Sequence, residues 1–148
     1  MDYLLPYSKN KQELIAYGIF DLDNFKKIND KYGHITGDWV IKKVVAVCQG
    51  LANEKITFAR LGGEEFSITI RDSSLNEIIQ FSEQCRLAIN AIETLNETGF
   101  DMQISASFGI TTTAISGYDY LVLMKHADTA LYASKNNGRN QISVFEIN

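Results

Sequence analysis

A pair of glycines followed by a pair of glutamates constrains the fold of this chain more than any other feature. These residues, Gly62, Gly63, Glu64 and Glu65, stand between two β-prone segments and predict a hairpin turn. An ordinary hairpin turn favours Asn-Gly or Asp-Gly, and adjacent carboxylates at a tight turn repel each other. Because a bound cation would relieve that repulsion, the hairpin is also a candidate metal site.

A second acidic cluster, Asp21 and Asp23, follows the apolar segment 15–20, which predicts a buried strand. Asp23 or Asn24 could simply cap a helix that starts at Phe25. A calcium loop is excluded, because Phe25 stands where an oxygen ligand is needed and the glycine and closing glutamate of that loop are missing. Two acidic clusters at strand ends of one sheet predict a site for a hard divalent cation, Mg²⁺ or Mn²⁺.

Composition narrows the class of protein. The 148 residues are 45% hydrophobic and 22% charged, which is typical of one soluble domain. A net charge of −4 argues against a nucleic-acid partner, but a metal ion could still hold a small anionic substrate. The sequence has no membrane segment and no signal peptide, so a cytoplasmic location is expected. Cys48 and Cys85 fall on apolar helix faces and are expected in the core as free thiols.

Hydrophobic periodicity predicts the element order β-α-α-β-β-α-β-α-β, without a repeat or a linker. This order favours an α/β (α+β) fold with a mixed central sheet of about five strands covered by helices. Residues 1–14 form a short lead-in, and 15–148 form the folded domain. Gly33-His34 is expected to separate the first two helices, and Gly109 to break the fourth strand. The predicted strands are 15–20, 57–61, 66–70, 102–112 and 141–145; the predicted helices are 24–30, 37–52, 74–95 and 118–136; the predicted loop is 96–101.

Basic residues near two helix ends are candidates for binding phosphate. Asn24, Phe25 and Lys26 begin a helix directly after the acidic strand end, where free backbone N–H groups and the helix dipole attract anions. Lys135 and Arg139 flank a predicted helix C-terminus, where basic residues commonly complement the dipole. Each feature alone has an ordinary explanation, but their convergence with the acidic clusters on one sheet edge favours a nucleotide phosphate site.

Together these segments resemble the GGDEF family of diguanylate cyclases. The resemblance covers about residues 16–145 and implies a palm-like, ferredoxin-related fold whose hairpin carries Gly-Gly-Glu-Glu-Phe. It rests on Asp-Leu-Asp-Asn-Phe-Lys-Lys-Ile-Asn-Asp at 21–30, Gly33-His34, Gly37-Asp38, Arg-Leu-Gly-Gly-Glu-Glu-Phe at 60–66, Ser-Ala-Ser-Phe-Gly-Ile at 105–110, Ala127-Asp128, 130–132, Lys135 and Gly138-Arg139-Asn140.

The resemblance also implies roles for single residues. Asp21 and Glu64 would hold the metal through their side chains and Leu22 through its carbonyl, and Glu65 would be the second acidic residue needed for turnover. The implied catalytic residues are Glu64, Glu65 and Lys26. The implied substrate-binding residues are Asn24, Phe25, Lys26, Asn29, His34, Asp38, Gly63, Lys135 and Arg139.

Within the substrate-binding set, Asn29 and Asp38 match the pair that hydrogen-bonds guanine, whose edge offers both an acceptor and N–H donors. Lys26, Lys135 and Arg139 match the triphosphate contacts. His34 either orients a neighbouring loop or approaches the substrate, and the structural role is favoured.

The implied reaction is phosphoryl transfer: the 3′-hydroxyl of one GTP attacks the α-phosphate of a second, releasing pyrophosphate and finally giving cyclic di-GMP. The implied cofactor is Mg²⁺ or Mn²⁺, with two ions expected at each active site. Since each domain holds one GTP, two domains must face each other, and an antiparallel homodimer, formed at least transiently, is expected in the active state.

Two departures from the family pattern leave alternatives open. Asn53 and Ile56 stand where family members often carry the Arg and Asp of a product-inhibition site, so no feedback inhibition is expected there. Residues 1–14 lack the Leu-Thr-Gly-Leu…Asn-Arg signature of the family's leading helix. One alternative is therefore a short stand-alone palm cyclase, similar to the minimal CRISPR-polymerase-like group, making another cyclic oligonucleotide in antiviral signalling. The other is a degenerate domain that binds GTP and signals by contact.

Overall fold

A five-stranded mixed sheet forms the centre of the fold, in a computed structural model that describes residues 13–146. The expectations for the leading residues 1–12, including the missing helix signature, lie outside this range. The strands are β1 (Ile15–Leu22), β2 (Ile56–Gly62), β3 (Glu65–Arg71), β4 (Ala106–Thr112) and β5 (Ile142–Val144). The helices are α1 (Phe25–Tyr32), α2 (His34–Leu51), α3 (Leu75–Asn90), α4 (Leu95–Thr98), α5 (Thr113–Ser116) and α6 (Tyr120–Asn136).

The strand order is β2-β3-β1-β4-β5, with β1 in the middle. β1 pairs antiparallel with β3 and with β4, β2 and β3 form the predicted hairpin, and β5 runs parallel to β4. The predicted mixed sheet of about five strands covered by helices is therefore confirmed.

β1 is buried on both faces, which explains its uninterrupted apolar sequence. On one face Phe20 stacks on Phe66 and Phe108, with ring centroids 5.0 and 4.8 Å apart. These rings join the larger core cluster, which α2 and α3 complete. The opposite face forms a smaller cluster with α6, made of Ile15, Tyr17, Ile19, Leu123, Ala127 and Leu131.

Cys48 and Cys85 are fully buried free thiols in α2 and α3, as predicted. Their burial in the larger core cluster accounts for their position on apolar helix faces. Within residues 13–146, no helix is long and apolar enough to cross a membrane.

Two glycines behave differently from the prediction. Gly33 alone (φ 93) separates α1 from α2, so residues 34–36 are helical rather than part of a break. Gly109 does not break β4, because it pairs with Ile19 on one side and Ser143 on the other. A side chain at 109 would collide with the backbone of α6 at Ala127 and Leu131, so the glycine allows the helix to lie against the strand.

The segment between α3 and β4 differs most from the prediction. α3 ends at Asn90 rather than at 95, and residues 95–98 form α4 inside the predicted loop. The Thr94 side chain, and not a neighbouring strand, holds the residues before β4. Its hydroxyl donates to the Phe100 carbonyl oxygen at 2.7 Å and accepts from the Met102 N–H at 3.0 Å. β4 accordingly starts at Ala106 and not at 102.

The remaining boundaries shift by a few residues. β1 and α1 each extend two residues past their predicted ends, and α6 starts at Tyr120 behind an Asp119 cap. α5 was not predicted, and the Thr112 side chain caps it. β5 is shorter than predicted and spans only Ile142–Val144.

Replacing Gly109 with alanine is expected to lower the free energy of unfolding by about 3 kcal/mol, because the added carbon would lie inside the α6 backbone contact, 2.7 Å from the Leu131 Cα. Urea denaturation measures this change. The matched control is Gly50→Ala in α2, where an added carbon meets nothing within 4 Å. That variant is expected to gain about 0.5–1 kcal/mol from helix propensity. A Gly109→Ala protein as stable as wild type would contradict the packing argument.

Candidate metal and nucleotide site

The two predicted acidic clusters meet at the end of β1. In the β1–β3 register, Asp21 lies opposite Glu65. The Leu22 N–H donates to the Glu64 carbonyl oxygen at 3.2 Å, which fastens the hairpin tip to the end of β1. Residues far apart in the sequence thereby place three carboxyl groups at one edge of the sheet.

The hairpin turn is tighter than predicted. Gly62 ends β2 and Glu65 begins β3, so only Gly63 and Glu64 form the turn. Gly63 has a left-handed backbone (φ 51), which requires little energy only for glycine. The Arg60 Nε–H donates to the Gly63 carbonyl oxygen at 2.8 Å, and a register shift between Arg60 and Gly62 bends the strand. The turn is thus braced before any ligand arrives.

Asp21 has one satisfied and one unsatisfied oxygen. Its side chain is 12% exposed, and its Oδ2 accepts a hydrogen bond from the Lys135 ammonium at 2.5 Å. Its Oδ1 is buried and has no partner among the described residues. Burial raises the pKa of the Asp21 carboxyl; Lys135 opposes this rise, while Glu64 and Asp23 add to it. A buried, unpartnered carboxylate oxygen is an acceptor that a cation would satisfy.

The residue set fits an open site for a hard cation. Within residues 13–146 no group of three or more His, Cys, Asp or Glu side chains is arranged to hold a metal. The predicted set is different, because it combines the carboxylates of Asp21 and Glu64 with the main-chain carbonyl of Leu22. Mg²⁺ is commonly held by one or two carboxylates while waters and substrate phosphates complete its shell. The donor types present suit Mg²⁺ or Mn²⁺ and not zinc.

Glu65 lies among negative charges. Burial is the largest cause that raises the pKa of its carboxyl, followed by the charges of Asp128 and Asp21. Lys135 opposes this rise, and neighbouring Glu64 adds least to it. The repulsion inferred from adjacent glutamates is therefore smaller than that from residues distant in sequence. The sequence interpretation gave Asp128 no role. Its spacing of seven residues from Lys135 on one helix is the signal that could have placed it on this face.

The start of α1 offers uncapped backbone N–H groups. Asn24 has a left-handed backbone (φ 56) and no side-chain capping bond, and no acidic residue occupies the first turn. Neither Asp23 nor Asn24 caps the helix, so that simpler interpretation is wrong. Lys26 is exposed in the same turn. An uncapped helix start next to a lysine can receive an anionic group.

The predicted guanine residues lie in the helical pair α1 and α2. The Asn29 Oδ1 is buried without a partner among the described residues. Gly37 makes room for it, since a side chain at 37 would collide with Oδ1 and come within 3.2 Å of the Phe25 ring. Asp38, the next residue, is exposed. A buried acceptor beside an exposed carboxylate offers suitable partners for N–H donors of a base.

His34 is the first residue of α2, not part of a loop, and it is exposed. It makes no hydrogen bond or ion pair with a described residue. The expected role of His34 in orienting a loop therefore gains no support from these contacts.

The C-terminal end of α6 places the other two basic residues. Lys135 lies in the last turn and reaches Asp21. Gly138, Arg139 and Asn140 follow in a turn whose last two residues have left-handed backbones (φ 65 and 50). Such conformations cost about 1 kcal/mol or more per non-glycine residue, so this turn is held by its contacts. The Asn140 N–H donates to the Asp23 carboxylate at 3.0 Å, which brings the turn to the end of β1.

The two positions linked to product inhibition lie elsewhere: Asn53 is in the connection from α2 to β2, and Ile56 is the first residue of β2. The Asn53 Oδ1 accepts from the Lys55 N–H at 2.9 Å, and the Asn53 carbonyl oxygen accepts from the Ile56 N–H at 3.1 Å. These contacts give Asn53 a local role in a turn. The expected absence of feedback inhibition there stays a prediction.

Comparison with known proteins agrees with the resemblance. The family described as "Diguanylate cyclase, GGDEF domain" matches residues 3–141. Diguanylate cyclase A of Treponema denticola is 30% identical over 146 residues, covering 99% of this chain and 39% of the relative. Cyclic di-GMP phosphodiesterase PdeR of Escherichia coli is 31% identical over 146 residues, covering 98% of this chain and 21% of the relative.

The fold agrees as well. The GGDEF domain of DgcB from Caulobacter crescentus, solved in complex with c-di-GMP, superposes with a TM-score of 0.88 and 30% identity, covering 99% of this chain and 86% of that one. The chain spans 39% of the length of the first curated relative and 21% of the second. Neither the minimal palm cyclase nor the degenerate domain gains support from these comparisons. Matched in sequence from residue 3 to 141 and in fold over nearly its whole length, the chain belongs to the GGDEF family of diguanylate cyclase domains.

Proposed function

We propose that this domain is a diguanylate cyclase, which condenses two GTP molecules into cyclic di-GMP and releases two molecules of pyrophosphate. The proposal rests on one observation in a chain of this family. Asp21, which has a buried oxygen without a partner among the described residues, lies together with Glu65 and Lys135 at one edge of the sheet. One relative is named a diguanylate cyclase, and the Caulobacter domain was solved with c-di-GMP. The relative named a phosphodiesterase is much longer than the segment it shares with this chain, so its name does not determine the activity of that segment.

Asp21, the Leu22 carbonyl and Glu64 would hold Mg²⁺ or Mn²⁺, with two ions proposed for each active site. When bound, the metal supplies positive charge against the triphosphate and lowers the pKa of the attacking hydroxyl. The protein's own groups would do the rest. Lys135, now on Asp21, is placed to turn toward phosphate, together with Arg139 and Lys26. Glu65, whose pKa is raised, suits the role of a proton acceptor near the attacking hydroxyl.

The substrate is proposed to be GTP, with its base between α1 and α2. The buried Asn29 Oδ1 would accept from a guanine N–H, and Asp38 would accept from the remaining donors. Adenine lacks the N1–H and the 2-amino group of guanine, and its N1 is itself an acceptor that would face these acceptors, which disfavours it. The uncapped start of α1 at Asn24, Phe25 and Lys26, together with the turn at Gly63, would receive the phosphates.

A homodimer follows from the reaction. One domain has one such nucleotide site, and closing the ring needs two GTP molecules with each hydroxyl facing the other's α-phosphate. We propose an antiparallel pair that forms at least transiently, in the cytoplasm where GTP is available.

Glu65→Gln is expected to reduce product formation by at least about a hundredfold, because it removes the acidic group next to the reacting hydroxyl. The assay incubates the protein with all four nucleoside triphosphates and Mg²⁺ or Mn²⁺, and mass spectrometry identifies the products. Wild type is expected to give cyclic di-GMP. Glu54→Gln, the same change at an exposed position outside the site, is expected to match wild type.

Two results would contradict the proposal. A wild-type protein that gives an adenine-containing product would overturn the assignment of the base, and equal turnover by Glu65→Gln would overturn the role of that carboxylate.

The stability of the metal-free protein is expected to fall as pH rises through the titration of Glu65. Its pKa is higher in the folded chain than in the unfolded chain, so the folded state binds the proton more tightly. This contribution is fully present below the ordinary glutamate pKa and is lost as pH rises through the raised one. In urea denaturation with EDTA from about pH 4 to pH 8, the free energy of unfolding of Glu65→Gln should fall less steeply with pH than that of wild type. Glu54→Gln should keep the wild-type profile, and identical profiles for all three proteins would contradict the argument.

A further inference from the structure

Asp23 is buried, with 7% of its surface exposed, and both of its carboxylate oxygens are satisfied. Its Oδ1 accepts from the Ser107 hydroxyl at 2.6 Å, and its Oδ2 accepts from the Ser105 hydroxyl at 2.6 Å and the Asn140 N–H at 3.0 Å. Its own N–H donates to the Ser105 carbonyl oxygen at 2.9 Å. One carboxylate therefore joins the end of β1, the start of β4 and the turn after α6.

The same turn is held from the other side by α3. The Asn140 Oδ1 accepts from Arg86 Nη1 and from Asn90 Nδ2, each at 3.1 Å. Arg86 is itself fixed by two hydrogen bonds to the Glu83 carboxylate, at 2.6 and 2.7 Å. Asn140 is thus clamped through its main-chain N–H, which donates to Asp23 and at 3.2 Å to the Ser107 hydroxyl oxygen, and through its side chain by α3.

Arg139, the residue before Asn140, has a fixed backbone and a side chain without a polar partner among residues 13–146. Its N–H donates to the Ser134 carbonyl oxygen at 2.9 Å, and its own carbonyl oxygen accepts from Gln141 Nε2 at 3.0 Å. Its guanidinium is exposed and makes no hydrogen bond or ion pair with a described residue. Because the left-handed backbone of this turn is strained, the turn needs the contacts at Asn140 to keep the guanidinium at the edge of the site.

We propose that Asp23 is a positioning residue: through Asn140 it holds the turn that presents Arg139 to the triphosphate of GTP. This inference rests on the proposed function and extends it to a residue that the sequence suggested as a helix cap, which the structure excludes, or as part of an acidic metal-binding cluster. Three donors and, among the described residues, no acceptor converge on the Asp23 side chain, which suits a carboxylate. Hydrogen bonds to an ionised acceptor are stronger than those to a neutral one. A role as metal ligand is disfavoured, since a cation would have to displace these donors.

Loosening the turn that contains Arg139 and Asn140 is expected to weaken GTP binding. Asp23→Ala should raise the KM for GTP by about tenfold or more with a smaller change in kcat, because misplacing a binding group by about an ångström is costly. Asp23→Asn should rescue most of the loss. Its amide oxygen can still accept from Asn140 and Ser105, while its amide nitrogen donates to the Ser107 hydroxyl, which can rotate.

The test is a double-mutant cycle between Asp23→Ala and Arg139→Ala, read as KM and kcat for GTP turnover. If Asp23 acts through Arg139, the double variant should have the KM of Arg139→Ala alone. Amide hydrogen exchange by NMR provides a second readout: Asn140 should exchange faster in Asp23→Ala without any ligand. If the alanine variant does not fold, Asp23→Ser takes its place, since it is too short to reach Asn140 but can still pair with a serine hydroxyl.

The control is Thr113→Val, which removes a buried hydrogen bond of 3.0 Å from the Ile15 N–H at the opposite end of β1. It should lower stability, leave KM unchanged and combine additively with Arg139→Ala. Additive effects of Asp23→Ala and Arg139→Ala, or an Asn140 amide that stays protected in Asp23→Ala, would overturn this inference alone. A wild-type protein that neither binds nor consumes GTP would overturn the proposed function, and the role of Arg139 in this inference with it.

Discussion

The pairing of β1 with β3 is the constraint on which the rest of the site depends. Asp21 lies opposite Glu65 only in the observed register, and a slip of one residue would turn their side chains to opposite faces of the sheet. The adjacent pair fixes that register, because Phe20 lies opposite Phe66 and stacks on it inside the core. Apolar packing on one face of the sheet therefore sets the geometry of charged groups on the other.

Two aspartates separated by one residue illustrate how the fold divides structural from functional roles. Asp23 has both carboxylate oxygens hydrogen-bonded and fastens three segments together. Asp21 keeps a buried oxygen without a partner among the described residues, and burial raises its pKa. A stable protein gains nothing from such an unsatisfied carboxylate, so its presence is consistent with a binding site retained at the expense of stability.

The sequence was sufficient for the order of the main elements, the mixed sheet and the hairpin, because these follow from local periodicity and turn chemistry. It was insufficient where one side chain or one distant contact decides the structure. Gly109 was predicted to break a strand, since nothing local shows that α6 lies against it. The start of β4 was misplaced because the Thr94 hydroxyl, and not a strand partner, holds the preceding residues.

In the candidate site, too, local sequence motifs could be predicted and contacts between distant residues could not. Residues in contiguous motifs, such as Asp21 and Glu64, could be recognised from the sequence, and the fold places them together. The Asn140 clamp could not be predicted, because its partners lie far away in the chain and the contacts exist only after folding. The approach of Asp128 to Glu65 also exists only after folding, and its helical spacing from Lys135 indicated only which face of the helix it occupies. Recognising a motif thus identified the groups proposed to bind substrate, but not those that hold them in place.

The most direct test of this account is paramagnetic broadening of amide NMR signals on addition of Mn²⁺ and GTP to the ¹⁵N-labelled protein. The account predicts that the signals of Leu22 and Glu64 broaden first, and that Asp21→Asn abolishes the effect while leaving the rest of the spectrum unchanged. Broadening that centres on another part of the chain, or that persists in Asp21→Asn, would contradict a metal site between β1 and the hairpin.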